Sequence, residues 1–554
     1  MKKVLFVFFC LLTIYSCKND SKDAAASIRQ ETNVNSKPKL VVGIVVDQMR
    51  YDYLTRFYNR YGEGGFRRLM NEGFNCKNNH FNYVPTYTGP GHASVYTGTT
   101  PKYHGIIGNN WYDKVIGKMV YCAGDDSVTP VGTTDNAGKM SPHRMKTTSF
   151  ADENRLFTQL RGKTIGISLK DRGAILPAGH SANAAYWFHG KDEGAWISSS
   201  FYMDELPNWV STFNASDKAQ SYLKEWSTIE PIEGYVESGA DLNNFEGGFK
   251  GKSTAEFPYD LKILSEENDG FDIIKATPFG NSITADFAIE AIKAEQLGKD
   301  NDTDVLTVSF SSTDYVGHNF GVNSKEIQDT YMRLDKDIKR LLDALDAEVG
   351  KGNYSVFLTA DHGAVDVPAY LSSHNIPAGY INNREGKSKL TAFLKSRYNS
   401  EDLVENVSNN QIFLNYNELK RLKLDAEAVQ KTILEEVIGY PNVDKAYTAK
   451  TMASVNFDVG IEELIQNGFN QKRSGDIIVN YDPAFISYGK TGSTHGSGLN
   501  YDTHVPLLFY GNGFVKGSTL EKTVIPDIAP TMSALLGVSF PNGATGQPLD
   551  FVLK

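Results

Sequence analysis

Past residue 39 the chain alternates between unbroken apolar runs and segments whose apolar positions repeat every three or four residues. Leu40–Val46 (LVVGIVV) lacks the polar alternation of a half-exposed strand, which predicts a strand covered on both faces, and it ends at Asp47. Similar runs occur at 164–169, 305–310, Tyr354–Thr359, 477–479 and 505–510. Between them, Ile327, Tyr331, Leu334, Ile338, Leu341, Leu345 and Val349 predict a helix over 326–349 with one apolar face. Two more helices are predicted over 282–296 and 526–536, the latter with Pro526 and Pro530 suited to its first turn and Gly537 to its end. Strands alternating with helices predict an α/β fold with a mostly parallel central sheet and helices on both faces.

Two stretches break that rhythm: roughly 178–280, rich in Trp, Gly and Ser, and roughly 384–475, charged and mixed. Both are expected to be insertions forming cap segments over one edge of the sheet, with an independent domain as the alternative. No repeat of 20 to 50 residues is evident. The N-terminus differs again. Lys2 and Lys3 precede a 12-residue apolar run from Val4 to Tyr15, shorter than the roughly 20 residues a membrane span needs, so it reads as a secretory signal. Ile14-Tyr15-Ser16-Cys17 resembles a bacterial lipoprotein processing site, with ordinary cleavage as the alternative. The expected organisation is a signal peptide at 1–16, a polar tether at 17–39 and a catalytic domain at 40–554. Export to the periplasm, outer membrane or cell surface follows, with membrane contact only through a lipid anchor at Cys17.

Composition narrows the field. The 554 residues carry a formal net charge of −10, which excludes a small disulfide scaffold and argues against nucleic acid as a partner. Outside the signal segment and Cys17, only Cys76 and Cys122 remain; in an oxidising compartment they pair or stay as buried thiols.

Candidate chemistry gathers where strands stop. Asp47 ends the first run, Asp314 follows 305–310, and Asp361-His362 follows Tyr354–Thr359. Ligands of open parallel sheets collect outside the carboxyl ends of strands, so these acids are expected to converge. Asp314 and His318 stand four apart, one helical turn, and His495 lies in the Gly-rich segment Thr491-Gly-Ser-Thr-His-Gly. Mixed carboxylate and imidazole donors suit zinc better than calcium or magnesium. In Thr88-Gly-Pro-Gly-His92, glycines flank a proline before a helical pattern, which puts Thr88 at a helix N-terminus, as an anion-binding residue or a simple cap.

Taken in order, Asp47, Thr88-Gly-Pro-Gly-His, Asn109, Thr313-Asp314-Tyr-Val-Gly-His318, Ala360-Asp361-His362-Gly363 and Thr494-His495-Gly496 resemble the alkaline phosphatase superfamily, from about residue 40 to the end. The branch they most resemble is the PafA-type alkaline phosphatases, related to nucleotide pyrophosphatase/phosphodiesterases. The arylsulfatase motif Cys-x-Pro-x-Arg is absent. The resemblance implies an alkaline-phosphatase-like fold and two zinc ions, one held by Asp47, Asp361, His362 and the Thr88 oxygen, the other by Asp314, His318 and His495. It also implies Thr88 as nucleophile and Asn109, Lys170 and Arg172 as groups on the phosphoryl oxygens.

A monoester dianion offers one more charged oxygen than a diester, and two cations beside it favour that substrate in the transition state. Two divalent ions against three carboxylates leave the site positive before Lys170 and Arg172 are added. The expected function is therefore hydrolysis of small phosphate monoesters through a phosphothreonine. The alternatives are a phosphodiesterase or nucleotide pyrophosphatase on the same scaffold and a surface lipoprotein that binds without turnover. No His-Glu-x-x-His segment supports a metalloprotease.

Overall fold

The computed structural model describes Lys37–Lys554; the signal segment, Cys17 and the tether up to residue 36 lie outside the described residues. Ten strands form the central sheet: β1 (Leu40–Val46), β2 (Phe74–His80), β3 (Pro130–Val131), β4 (Thr164–Ser168), β5 (Ala184–His189), β6 (Ala195–Ser199), β7 (Asp304–Phe310), β8 (Tyr354–Thr359), β9 (Leu507–Gly511) and β10 (Gly517–Val524). Their spatial order is β10-β2-β9-β8-β1-β7-β4-β5-β6-β3. The middle five, β8-β1-β7-β4-β5, are mutually parallel, while β9 and β6 run antiparallel to the strands beside them. Every residue of β1, β7 and β8 is buried, as strands covered on both faces require.

Register fixes where the chain leaves the sheet. Val46 pairs with Phe310, Val45 with Thr359 and Ser309 with Ser168, so β1, β7, β8 and β4 release their next residues along one edge. Six helices bear on that edge or cover the sheet: α1 (Thr88–Thr97), α2 (Asp171–Ala178), α3 (Pro278–Ala294), α4 (Ser312–Phe320), α5 (Lys325–Leu345) and α6 (Ile528–Leu536). The helix expected over 526–536 begins with a tighter 3₁₀ turn, Ile525–Asp527, before α6.

The sequence misplaces two segments. The run at 477–479 is a strand, but Ile477–Tyr481 joins a separate four-stranded sheet with Val404–Ser408, Gln411–Leu414 and Val443–Thr448. An apolar run does not say which sheet it completes. Part of the 178–280 stretch supplies β5 and β6, and Trp196 on β6 stacks on Phe287 of α3 with ring centroids 4.2 Å apart. Of the tryptophans that made this stretch look irregular, Trp187, Trp196 and Trp226 are core residues and Trp209 is half-buried. Cys76 and Cys122 are buried free thiols, so they do not pair.

Close approach explains one glycine of the Thr88 segment. A Cβ on Gly91 would lie 2.2 Å from the carbonyl oxygen of Asp361, so only glycine lets α1 press its first turn against the turn after β8.

Candidate active site

Asp361, Asp47, Asp314 and Lys170 follow β8, β1, β7 and β4, four adjacent strands, and stand side by side along the edge. All four are buried. Two groups of metal-ligating side chains form there, Asp47 with Asp361 and His362, and Asp314 with His318 and His495; within each, the donor atoms lie within 4.8 Å of one another.

The first group is nearly regular. His362 Nε2 lies 3.5 Å from Asp47 Oδ1, 3.5 Å from Asp361 Oδ2 and 3.5 Å from Thr88 Oγ1. A tetrahedral zinc with bonds of about 2.0 to 2.1 Å separates its ligands by about 3.3 to 3.4 Å, so the three separations from His362 Nε2 are close to those of atoms sharing one ion. Asp47 Oδ1 and Asp361 Oδ2 are also buried without a hydrogen-bond donor among the described residues, acceptor capacity that a cation would satisfy. Thr88 is the first residue of α1. One turn on, His92 Nδ1 lies 2.9 Å from the Thr88 carbonyl and 3.3 Å from Asp361 Oδ2, while its Nε2 lies 2.9 Å from Ser309 Oγ.

In the second group, Asp314 and His318 sit on successive turns of α4, with His318 Nε2 3.1 Å from Asp314 Oδ1 and His495 Nε2 3.7 Å from the same oxygen. The tautomers follow from the partners. Nδ1 of His318 faces the Ser493 carbonyl at 2.7 Å, Nδ1 of His495 the Thr86 carbonyl at 2.7 Å, and Nδ1 of His362 the Gly363 carbonyl at 3.0 Å. A carbonyl only accepts, so each Nδ1 carries a proton and each Nε2 faces the cluster. The His362 and His495 rings stack with centroids 3.4 Å apart, joining the groups. Burial lowers the pKa of His362, and burial with the neighbouring His362 holds His495 well below the ordinary imidazole range, so both are neutral donors at pH 7.

Lys170 occupies the junction, its Nζ 2.6 Å from Asp47 Oδ2 and 2.6 Å from Asp314 Oδ2. Burial alone would depress its pKa, but Asp314 and Asp47 outweigh burial and raise it, so the ammonium stays charged. Burial, followed by repulsion from Asp361, pushes Asp47 well above the usual carboxylate range. On Asp314 burial pushes upward too, but His318 and Lys170 prevail and hold it well below that range.

Asn109 and Arg172 reach the same region from different elements. The Gly89 N–H donates to Asn109 Oδ1 at 2.7 Å; that contact fixes which amide atom is oxygen and leaves the NH₂ to donate elsewhere. Arg172 Nη1 donates to the Tyr121 hydroxyl at 3.1 Å, and its buried Nε has no partner among the described residues. Asp171 accepts hydrogen bonds from the Tyr121 hydroxyl and the Arg172 N–H, so its charge is spent on that pair. From the sheet of Ile477–Tyr481, Asn409 donates to the Asn110 carbonyl at 2.6 Å, beside Asn109.

Four contributors escape the sequence pattern: Gln48, His92, Tyr121 and Asp502. Gln48 bonds both Asp361 and Asp314. Asp502 accepts from the Gly496 N–H at 3.1 Å and the Ser497 N–H at 2.7 Å, while its carbonyl takes the Gly363 N–H at 2.7 Å, tying the His495 loop to the His362 turn. Only His92 carried a signal, its place one turn after Thr88.

Most of the chain is similar to known proteins. Residues 41–505 match the family model described as Type I phosphodiesterase / nucleotide pyrophosphatase. The chain is 44% identical over 528 residues to a protein of Elizabethkingia meningoseptica named alkaline phosphatase PafA, covering 95% of this chain and 96% of that one. It is 45% identical over 523 residues to a Myroides odoratus protein named calcium-transporting ATPase, covering 94% and 95% respectively. A crystal structure of wild-type alkaline phosphatase PafA is similar with a TM-score of 0.91 at 43% identity, covering 94% of this chain and all of that one.

Proposed function

The chain belongs to the Type I phosphodiesterase / nucleotide pyrophosphatase family, and from that premise we propose that it is a two-zinc alkaline phosphatase of the PafA type that hydrolyses small phosphate monoesters through a phosphothreonine at Thr88. The observation that carries the reading is the set of 3.5 Å separations joining Thr88 Oγ1, Asp47 Oδ1 and Asp361 Oδ2 to His362 Nε2. A threonine that serves only as a helix cap has no reason to set its hydroxyl 3.5 Å from the His362 ring nitrogen that the two carboxylates also face.

One zinc would be held by Asp47, Asp361, His362 and Thr88 and the other by Asp314, His318 and His495. Bound there, the ions would make the Thr88 hydroxyl acidic and absorb charge on the leaving oxygen. In the first step Thr88 Oγ1, its proton given up to solvent, forms a bond to phosphorus as the bond to the leaving oxygen breaks, and the departing alkoxide takes a proton from water. In the second, water attacks the phosphothreonine, the Oγ1–P bond breaks and inorganic phosphate leaves. Asn109, Lys170 and Arg172 would hold the phosphoryl oxygens through both steps.

The buried ammonium of Lys170 and the Tyr121-held guanidinium of Arg172 favour a substrate with the full monoester charge over a diester. A terminal nucleotide phosphoryl group has the same local charge, so ATP belongs in the substrate panel. The test is kcat/KM for an aryl phosphate monoester, its matched diester and ATP, on zinc-loaded and chelator-treated protein. Monoester preference abolished by chelation is expected. Diester preference would make the protein a phosphodiesterase on the same scaffold. Binding without release of product over many turnovers would leave a surface binding lipoprotein. Cys17 would supply the lipid anchor of the exported protein.

A further inference from the structure

We propose that Gln48 is a positioning residue that sets the two ligand groups at a fixed separation, an inference that rests on the two-metal reading above. Gln48 directly follows Asp47, and its φ of 61° lies in the left-handed region that favours glycine. Its backbone N–H donates to Asp361 Oδ1 at 3.1 Å, and its side-chain Nε2 donates to Asp314 Oδ1 at 2.7 Å. One residue therefore extends the Asp47 turn, grips the carboxylate of the first group through its backbone and grips the carboxylate of the second through its side chain.

The bonds leave the donor atoms available. Asp361 gives Oδ1 to Gln48 and keeps Oδ2, the oxygen that faces His362. Asp314 Oδ1 has two lone pairs; one accepts from Gln48 and the other remains for the side that His318 and His495 face. Gln48 Oε1 lies against Gly317, where a Cβ would come within 1.9 Å of it. The glycine in Asp314-Tyr-Val-Gly317-His318 thus makes room for the Gln48 amide.

A filler role does not explain this arrangement. At a left-handed position glycine avoids the backbone strain that a side chain incurs, and it would also clear the contact with Gly317. A long amide held there, buried and bonded to both carboxylates, is explained by the carboxylates it orients. Outer partners of metal ligands typically change metal affinity by about 10- to 100-fold when removed.

The test uses the zinc-free full chain, titrated with zinc against a chromophoric chelator, for the parent, Gln48→Met, Gln48→Gly, Gly317→Ala and the double variant Gln48→Gly/Gly317→Ala. The parent is expected to bind two ions. Gln48→Met keeps the bulk without the donor, and its weaker zinc site is expected to lose about 10- to 100-fold in affinity. Gln48→Gly is expected to lose as much while melting no lower than the parent when zinc-free, a combination that a purely structural role would not give. Gly317→Ala displaces an intact Gln48 and is expected to weaken zinc likewise, with no further loss in the double variant. Zinc affinities within twofold of the parent in both Gln48 variants would overturn the proposal. A parent that binds fewer than two ions would overturn the two-metal reading and this inference with it.

Discussion

The Lys170 ammonium lies 2.6 Å from Asp47 Oδ2, reaching from the end of β4 across the end of β7 to the end of β1. The same nitrogen meets Asp314 Oδ2, so one cation sits between the carboxylates of the two groups. A lysine at this junction can exchange a carboxylate oxygen for a phosphoryl oxygen, which is the part proposed for it.

Lys170→Ala is therefore expected to lower monoester kcat/KM by about 10² to 10³, the range for removing one oriented group that stabilises transition-state charge. The matched diester presents one charged oxygen fewer and is expected to lose less, so the monoester-to-diester ratio falls. Equal losses on the two substrates would reduce Lys170 to a counter-charge for Asp47 and Asp314.

Much of this edge is legible in the sequence. Leu40–Val46 and Tyr354–Thr359 announce themselves because strands buried on both faces have no polar positions, and the acids after them then fall where a parallel sheet binds ligands. Lys170 is legible as a cation near the site, but its contacts with Asp47 and Asp314 depend on β4 and β1 flanking β7, which periodicity does not state. Gln48 is invisible for a stronger reason. Its partners are 313 and 266 residues away, and its role depends on a left-handed backbone that glutamine rarely adopts. The strand at Ile477–Tyr481 looked like the others because a run buried in a small side sheet reads the same as one in the main sheet.

Thr88→Ala and Asp361→Ala separate chemistry from metal binding. Removing the nucleophile is expected to cut kcat by about 10³ or more while most of the zinc stays bound, because three ligands of the first group remain. Asp361→Ala removes a ligand from the buried group and is expected to lose both zinc and turnover. Metal analysis of the purified variants beside their kcat values checks the pair, and near-full activity in Thr88→Ala would refute the proposed nucleophile.

Asp502 gives a pH-dependent stability. Burial pushes its carboxyl from the ordinary 3.8 up to about 7, despite the Ser497 and Gly496 donors around it. From about pH 4 to pH 7 the folded protein keeps a proton that the unfolded chain has released, so this group's contribution to stability falls across that window and is constant above it. Asp502→Asn retains an acceptor for the Ser497 and Gly496 N–H groups and never ionises. The zinc-free variant is expected to melt at least about 2 °C above the zinc-free parent at pH 8, with the advantage gone at pH 4. A variant that melts lower than the parent at pH 8 would show that the ionised carboxylate's hydrogen bonds outweigh its burial.

The most direct test of the two-step account is the stereochemical course at phosphorus. Each in-line displacement inverts configuration, so attack by Thr88 followed by attack of water inverts twice and returns the original hand. A phosphorothioate monoester made chiral with oxygen isotopes, hydrolysed in isotopically labelled water by the zinc-loaded protein, is expected to yield thiophosphate of retained configuration. Inversion would mean that water displaces the leaving group in a single step, and would contradict the assignment of Thr88 as the group that takes the phosphoryl.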